Sequence, residues 1–365
     1  MTHLIGQPKE ALDTPVLLID LDVLEKNIAR MASTIIQEGG VGWRPHTKGM
    51  KTPALAHMLL NAGAHGITCA KLGEAEVMAI AGVRDILIAN QIVTPQKIAR
   101  LVNLRKHTDV IVAVDCVENV EALDKAAQEK GVQLRVLIEI DTGMNRAGVL
   151  PGEPALELAR KIAGRNSVHL AGLMTWESHA LTIPDIKEKR RVIHEALTQF
   201  TNTAQLCREN DIPIDILSCG GTGTYWISAT QEGITEIQAG GGIFCDVRYR
   251  NDFGVEHDYA LTILSSVTSR PNPNRIICDA GKKTMSTDGA VPEPIGIPNV
   301  TSVGCSAEHG TVKISEPSET PKVSDQIEFV AGYSDTTVML HNEIYGIRNG
   351  IVETIWPLWG RGKLQ

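Results

Sequence analysis

Over the first 250 residues, short apolar runs alternate with helical patterns, and this alternation restricts the chain to an α/β architecture. The runs lie at residues 41–48, 66–70, 85–90, 109–115, 134–141, 169–176, 215–221 and 235–240. Most are near-continuous in apolar character, the pattern of parallel strands covered on both faces.

Helical patterns fill the gaps at residues 52–61, 73–80, 94–104, 117–130, 153–162 and 186–209. Thr94 and Pro95 read as a helix cap followed by proline at the first helical position. Residues 117–130 place Val120, Leu123 and Ala127 on one face and stop before Gly131. Eight strands alternating with helices predict a (β/α)8 TIM-type barrel over residues 15–250, with a doubly wound open sheet as the competing architecture. Beyond residue 250 the texture changes. Strand-like runs at 259–268, 275–280, 299–305, 326–330, 336–340, 343–348 and 351–356 follow one another without long helices, punctuated by prolines. They predict a β-strand-rich C-terminal domain over 251–365, joined by residues 1–14. A short strand at 15–21 precedes a helix at 24–37 and is expected to pair with that β domain.

Composition narrows the function. At 365 residues and 43% hydrophobic content the chain can bury a large core. A net charge of −8 without a Lys/Arg run excludes nucleic acid as an expected partner. No apolar run reaches the roughly 18 residues of a membrane span, and residues 1–14 lack the apolar stretch of a secretion signal. Seven cysteines without a C-x-x-C pair match neither a disulfide framework nor a structural zinc site. The expected location is the cytoplasm.

In such barrels, chemistry collects at the C-terminal ends of the strands. Those ends carry His46 and Lys48, Cys69, Asn90 and Gln91, Asp115, Asp141 with Arg146, and Trp176, Glu177 and His179. Two glycine-rich turns, G-G-T-G at 220–223 and G-G-G at 240–242, end the last two strands. Bare backbone there can approach a phosphate. A lysine at a strand end can form a Schiff base with a carbonyl. Together, Lys48 and a phosphate cradle point to pyridoxal phosphate, anchored through its aldehyde and its phosphate. A Schiff-base aldolase acting on a phosphorylated sugar fits the same features. Arg146 reads either as support for a cofactor or substrate carboxylate, or as a salt bridge to a nearby acid.

The motifs P-H-T-K (45–48), D-T-G-M-N-R-A-G (141–148), S-C-G-G-T-G-T (218–224) and E-I-Q-A-G-G-G-I-F-C-D (236–246) resemble those of fold-type III pyridoxal-phosphate enzymes, which have an alanine racemase-like barrel. The nearer resemblance is to the branch of D-threonine aldolases, D-serine dehydratases and 3-hydroxy-D-aspartate aldolases. It extends through D-A-G-K-K-T-M-S-T-D-G (279–289), E-H-G (308–310) and R-N-G-I-V-E-T-I-W-P (348–357). The resemblance implies that Lys48 is the Schiff-base lysine. It implies that Ser218, Gly221, Thr222, Gly223, Gln238, Gly240 and Gly241 surround the cofactor with Arg146 and Trp176. It also implies a homodimer.

Three departures stand out. The branch holds a divalent metal through a His-x-Asp or His-x-Cys pair. Here Asp335 stands in the second position and Tyr333 replaces the histidine. Asp335 is the candidate ligand for Mg²⁺ or Mn²⁺, with His309 or His341 as substitutes for the missing histidine. Trp176 stands where the branch has a tyrosine, which leaves His179 as a candidate for proton transfer. The D-T-G-M-N-R form is racemase-like, and with Tyr333 it raises a two-base epimerase that uses Lys48 and Tyr333.

The expected activity is a pyridoxal-phosphate-dependent lyase acting on a small D-configured β-hydroxy-amino acid, through aldol cleavage to glycine and an aldehyde. The alternatives are dehydratase-like elimination, the epimerase, and a non-catalytic cofactor carrier. Lys48, His179 and Tyr333 are the candidate catalytic residues.

Overall fold

All eight apolar runs of the first 250 residues form strands of one parallel sheet. In the computed structural model, which describes residues 2–365, a short strand β1 (Val16–Asp20) comes first. The parallel strands follow as β2 (Gly42–Trp43), β3 (Ile67–Cys69), β4 (Asp85–Gln91), β5 (Asp109–Val114), β6 (Leu134–Ile140), β7 (Val168–Thr175), β8 (Ile216–Cys219) and β9 (Glu236–Ile237). Their spatial order is β2-β9-β8-β7-β6-β5-β4-β3. A parallel bridge between His46 and Thr68 joins the extension of β2 to β3 and brings the two ends of the sheet together. Thr47 N–H donates to the Thr68 carbonyl at 2.8 Å, and Thr68 N–H donates to the Pro45 carbonyl at 2.9 Å. The expected TIM-type barrel is therefore present.

The helices lie where the spacing places them. α1 (Leu21–Ala32) runs on into a π-helical turn at Ser33–Glu38. α2 (Pro53–Asn61), α3 (Leu72–Ile80), α4 (Pro95–Leu104), α5 (Val117–Lys130), α6 (Glu153–Ala163) and α7 (Ile186–Glu209) follow. Gly131 stops α5 in the left-handed region, φ 64° and ψ 37°, where a side chain would be strained. Two short helices, α8 (Tyr225–Ser228) and α9 (Val247–Asn251), have too few residues to show a period. Both faces of the central strands are buried. Leu87, Ile111, Ala113, Leu137, Ala171 and Met174 form one cluster. The intervening Ile86, Ile88, Val110, Val112, Val136 and Ile138 are also fully buried. This double burial is why the strands read as unbroken apolar runs.

The chain forms two compact units. The barrel unit comprises residues 30–48, 53–240 and 362–365, and the second unit comprises 1–29, 49–52 and 241–361. The strands of the second unit are β1 with β10 (Leu261–Asn272), β11 (Arg275–Cys278), β12 (Glu293–Pro294), β13 (Val300–Cys305), β14 (Gly310–Ile314), β15 (Gln326–Val330), β16 (Glu343–Arg348) and β17 (Ile351–Pro357). As expected, β1 joins this sheet, antiparallel to β10 and parallel to β16.

One expected strand is corrected. Residues 336–340 are helical, with α10 (Ser334–Thr337) running into a 3-10 turn at Val338–Leu340. The β-branched run Thr336-Thr337-Val338 favours a strand locally. A tertiary cap overrides it. The Asp246 carboxylate accepts the Ser334 N–H at 2.7 Å with one oxygen and the Tyr249 N–H at 2.8 Å with the other. One side chain thus starts both α9 and α10. Burial pushes the Asp246 carboxyl up to about 7 despite these two donors, and Asp335 adds to the rise.

An ion network crosses four neighbouring barrel strands. The Arg44 guanidinium, 2% exposed, binds both oxygens of Glu236 at 2.9 and 3.0 Å and reaches Asp85 at 2.7 Å. His65 closes on Glu236 at 2.9 Å. Burial acts to raise the Glu236 carboxyl, but Arg44 and His65 together override it and hold the group at about 2. A carboxyl depressed in the folded state contributes stability above its unfolded value of 4.5 and loses it as pH falls toward 2. Urea midpoints should therefore drop between about pH 4.5 and 2, and Glu236→Gln should flatten that drop. Removing Arg44 leaves Glu236 buried and unpaired. Arg44→Ala is expected to cost about 3–5 kcal/mol at pH 7 by urea unfolding.

Candidate active site

The C-terminal ends of the barrel strands carry most of the residues singled out in the sequence. Lys48 follows the His46 bridge and is exposed, with its backbone N–H 3.3 Å from His46 Nδ1. Gly240 lies against the same segment, since a Cβ there would overlap the backbone of His46. Gly241 opens the second unit and faces the Tyr249 hydroxyl in the same way.

The turn after β8 is held by a set of hydrogen bonds to buried groups. Gly221 packs directly on the Trp176 indole, leaving no room for a side chain. Its N–H donates to Thr224 Oγ1 at 3.1 Å. Thr224 Oγ1 donates to Glu177 Oε1 at 2.6 Å, Ser228 Oγ donates to the same oxygen at 2.6 Å, and Gly220 N–H donates to Oε2 at 3.3 Å. Glu177 itself is fully buried. Among the described residues, the N–H groups of Thr222 and Gly223 meet no protein acceptor, although Thr222 is only 6% exposed. Buried backbone donors are rarely left unpaired, so the turn is shaped to receive an acceptor such as a phosphate oxygen.

Other expected residues are committed to protein partners. Gln238 Nε2 donates to Ser218 Oγ at 2.9 Å, and both side chains are buried. Arg146 lies 3.3 Å from Glu139 Oε1, and Gln91 Nε2 donates to the other oxygen at 2.6 Å. Arg146 forms the expected salt bridge, and its side chain is still 53% exposed. Asp141 orders the preceding loop by accepting the N–H groups of Gly143 and Asn145, each at 3.0 Å. His179 sits exposed on the turn Ser178–Ala180 after β7, its ring against Gly143.

Tyr333 and Asp335 belong to the second unit. The phenol donates to Asp335 Oδ2 at 3.0 Å. Burial, and then the Asp335 carboxylate, push the phenol far above its usual range. The Arg248 guanidinium lies 4.7 Å from the centre of the Tyr333 ring. Asp335 lies against Gly49, the residue after Lys48, where a Cβ would overlap its carboxylate. This donor set does not fit a divalent metal. A protonated phenol is a poor ligand, and its hydrogen bond occupies a lone pair of the Asp335 carboxylate. His341 is turned to the Thr284 carbonyl at 2.7 Å, and His309 is exposed. Among the described residues, no group of three or more His, Cys, Asp or Glu could hold a metal ion.

Comparison with known proteins identifies the family of the chain. Residues 19–247 match the alanine racemase N-terminal domain, and residues 260–347 match the putative serine dehydratase domain. The chain is 33% identical to the D-threonine aldolase of Arthrobacter sp. over 98% of its length and 95% of that protein's. The chain belongs to the D-threonine aldolase family of fold-type III pyridoxal-phosphate enzymes. It is likewise 33% identical to the 3-hydroxy-D-aspartate aldolase of Paracoccus denitrificans, covering 98% of this chain and 94% of that one. The crystal structure of D-threonine aldolase from Filomicrobium marinum superposes with a TM-score of 0.95 at 31% identity, covering 99% of both chains. The same family membership makes the chain an enzyme of the lyase class.

Two acids support the loops of this aldolase-family member, Glu139 beneath Arg146 and Glu177 beneath the turn after β8, and motif reading misses the first. Glu177 was visible at the strand end, but nothing in its neighbours shows which loop it binds. The two glycines differ in what a side chain would meet. At Gly240 it would meet fixed backbone, and at Gly221 a ring that can turn aside. Gly240→Ala should cost about 3 kcal/mol by urea unfolding, and Gly221→Ala about 1 kcal/mol.

Proposed function

We propose that this chain binds pyridoxal phosphate and cleaves small D-configured β-hydroxy-amino acids to glycine and an aldehyde. Near full-length similarity to two aldolases carries the reading, and the turn after β8 supports it. Lys48 Nζ is the covalent anchor for the cofactor aldehyde, and Thr222 and Gly223 offer their N–H groups to its phosphate. Gly221 and Gly240 keep backbone close by excluding side chains, and Gly241 begins the adjoining turn. Ser218 and Gln238 brace β8 against β9 beneath the turn. Trp176 forms a flat wall beside Gly221. Arg146, held by Glu139, presents a fixed cation toward the cofactor ring or the substrate carboxylate. When bound, pyridoxal phosphate supplies an electron sink for charge developing at the substrate Cα.

The chain's own groups must then move two protons. Lys48 Nζ would hold or deliver the proton at the substrate Cα. His179, exposed on its turn, is assigned to the β-hydroxyl proton. Tyr333 is not given that role, because its proton is held by Asp335. No step is assigned to a metal, since Tyr333 and Asp335 do not form a site for one. No helix of the described chain is long and apolar enough to cross a membrane. A homodimer in the cytoplasm completes the reading, and sedimentation at micromolar concentration checks the dimer.

Product analysis by mass spectrometry with D-threonine tests the reaction. Glycine plus acetaldehyde is the expected result. 2-Oxobutanoate plus ammonia would make the enzyme a dehydratase, and unchanged mass with solvent deuterium at Cα an epimerase. Lys48→Ala should abolish both turnover and the visible absorption of bound cofactor. Elemental analysis of the purified chain should find no stoichiometric divalent metal, and chelator should leave activity unchanged. Tyr333→His should create Mn²⁺ affinity measurable by electron paramagnetic resonance.

A further inference from the structure

We infer that Glu177 is the positioning residue of the cofactor's phosphate turn, and that it selects which N–H groups of that turn face the phosphate. This inference rests on the cofactor reading given above. Its basis is the hydrogen-bond pattern. Four donors are available at the start of the turn, the N–H groups of Gly220, Gly221, Thr222 and Gly223. Glu177 takes Gly220 directly at 3.3 Å and takes Gly221 through Thr224 Oγ1, which accepts from Gly221 at 3.1 Å and donates to Glu177 at 2.6 Å. Ser228 Oγ, one helical turn beyond Thr224, donates to the same carboxylate oxygen at 2.6 Å. The carboxylate therefore ties both ends of the segment 220–228 to the end of β7. Only the N–H groups of Thr222 and Gly223 remain for a ligand among the described residues.

Glu177, Thr224 and Ser228 are all fully buried, so water does not compete for these bonds. A buried carboxylate repels a phosphate as well as ordering the turn that receives it. The two effects make opposite predictions. If order dominates, neutralising Glu177 weakens phosphate binding. If repulsion dominates, neutralising it tightens binding. Geometry favours order. A carboxylate accepts all three donors, whereas the amide of a glutamine would turn an N–H₂ group toward at least one of them. Losing hydrogen bonds to a charged acceptor typically costs a factor of roughly ten or more in the equilibrium it supports.

The test compares pyridoxal phosphate with pyridoxal, which lacks only the phosphate. Each is titrated into the full chain freed of cofactor and followed by tryptophan fluorescence, for the native protein, Glu177→Gln and Thr224→Val. Thr224→Val preserves shape and charge while cutting the link from Gly221 to Glu177. The expected result is a native preference for pyridoxal phosphate that falls roughly tenfold or more in both variants, with pyridoxal affinity changed less than about twofold. Circular dichroism and the urea midpoint confirm that each variant is folded. Unchanged or tighter phosphate-dependent binding in folded Glu177→Gln and Thr224→Val overturns the inference. Equal loss for both ligands also overturns it, because that is the mark of general damage to the site. A native chain that binds pyridoxal phosphate no better than pyridoxal removes the cofactor reading itself, and this inference with it.

Discussion

Everything at the top of this barrel depends on how β2 closes the sheet. This strand must pair with β9 on one side and β3 on the other, yet its regular part is only Gly42–Trp43. Closure is shared between backbone and side chain. The His46–Thr68 bridge supplies the backbone link, and Arg44 supplies charge, reaching Glu236 on β9 and Asp85 on β4. Lys48 follows that bridge by two residues. Its position is set by the same closure that makes the barrel a ring. Buried ion pairs are seldom a net gain over well-packed apolar groups, but breaking one partner away is costly. The Arg44 network is therefore best understood as a register lock.

Buried acids order loops and helix starts within each unit. Glu139, Glu177 and Asp246 are almost completely buried, and each accepts donors from segments distant in sequence. None is placed on the reacting atoms. Glu139 holds Arg146, Glu177 shapes the turn after β8, and Asp246 starts the helix that carries Asp335. A buried carboxylate whose oxygens are satisfied holds its donors in direction as well as distance. The Tyr333–Asp335 pair is a fourth arrangement of this type. There a phenol proton occupies the carboxylate that the family resemblance marked for a metal.

The barrel was legible because its strands carry an unambiguous signal. Runs such as 109–115 and 134–141 are apolar on both faces, and Gly131 and Pro95 mark helix ends by local backbone preference alone. Lys48 and the two glycine turns were legible because they end those strands. What stayed hidden depended on distant partners. β14, with its alternating Thr-Val-Lys-Ile, sits beside a glycine-bearing motif and gave no strong run. The helix α10 contradicts its own β-branched sequence because Asp246, 88 residues earlier, caps it. Glu177 meets donors 43, 47 and 51 residues away. A sequence shows both ends of such a bond without showing that they meet.

The interleaving of the two units has a consequence for how such an enzyme can be rebuilt or can diverge. The chain passes from one unit to the other five times, at 29/30, 48/49, 52/53, 240/241 and 361/362. Two of these junctions adjoin Lys48 and the Gly240–Gly241 turn. Neither unit can be exchanged with that of a relative by a single recombination event. An exchange that preserves both folds must cut at several of these junctions, including the pair at 48/49 and 52/53 that lies beside Lys48. Inheritance therefore treats the barrel and its strand-rich partner as one cassette, and new specificities are more readily reached by point substitution than by shuffling modules.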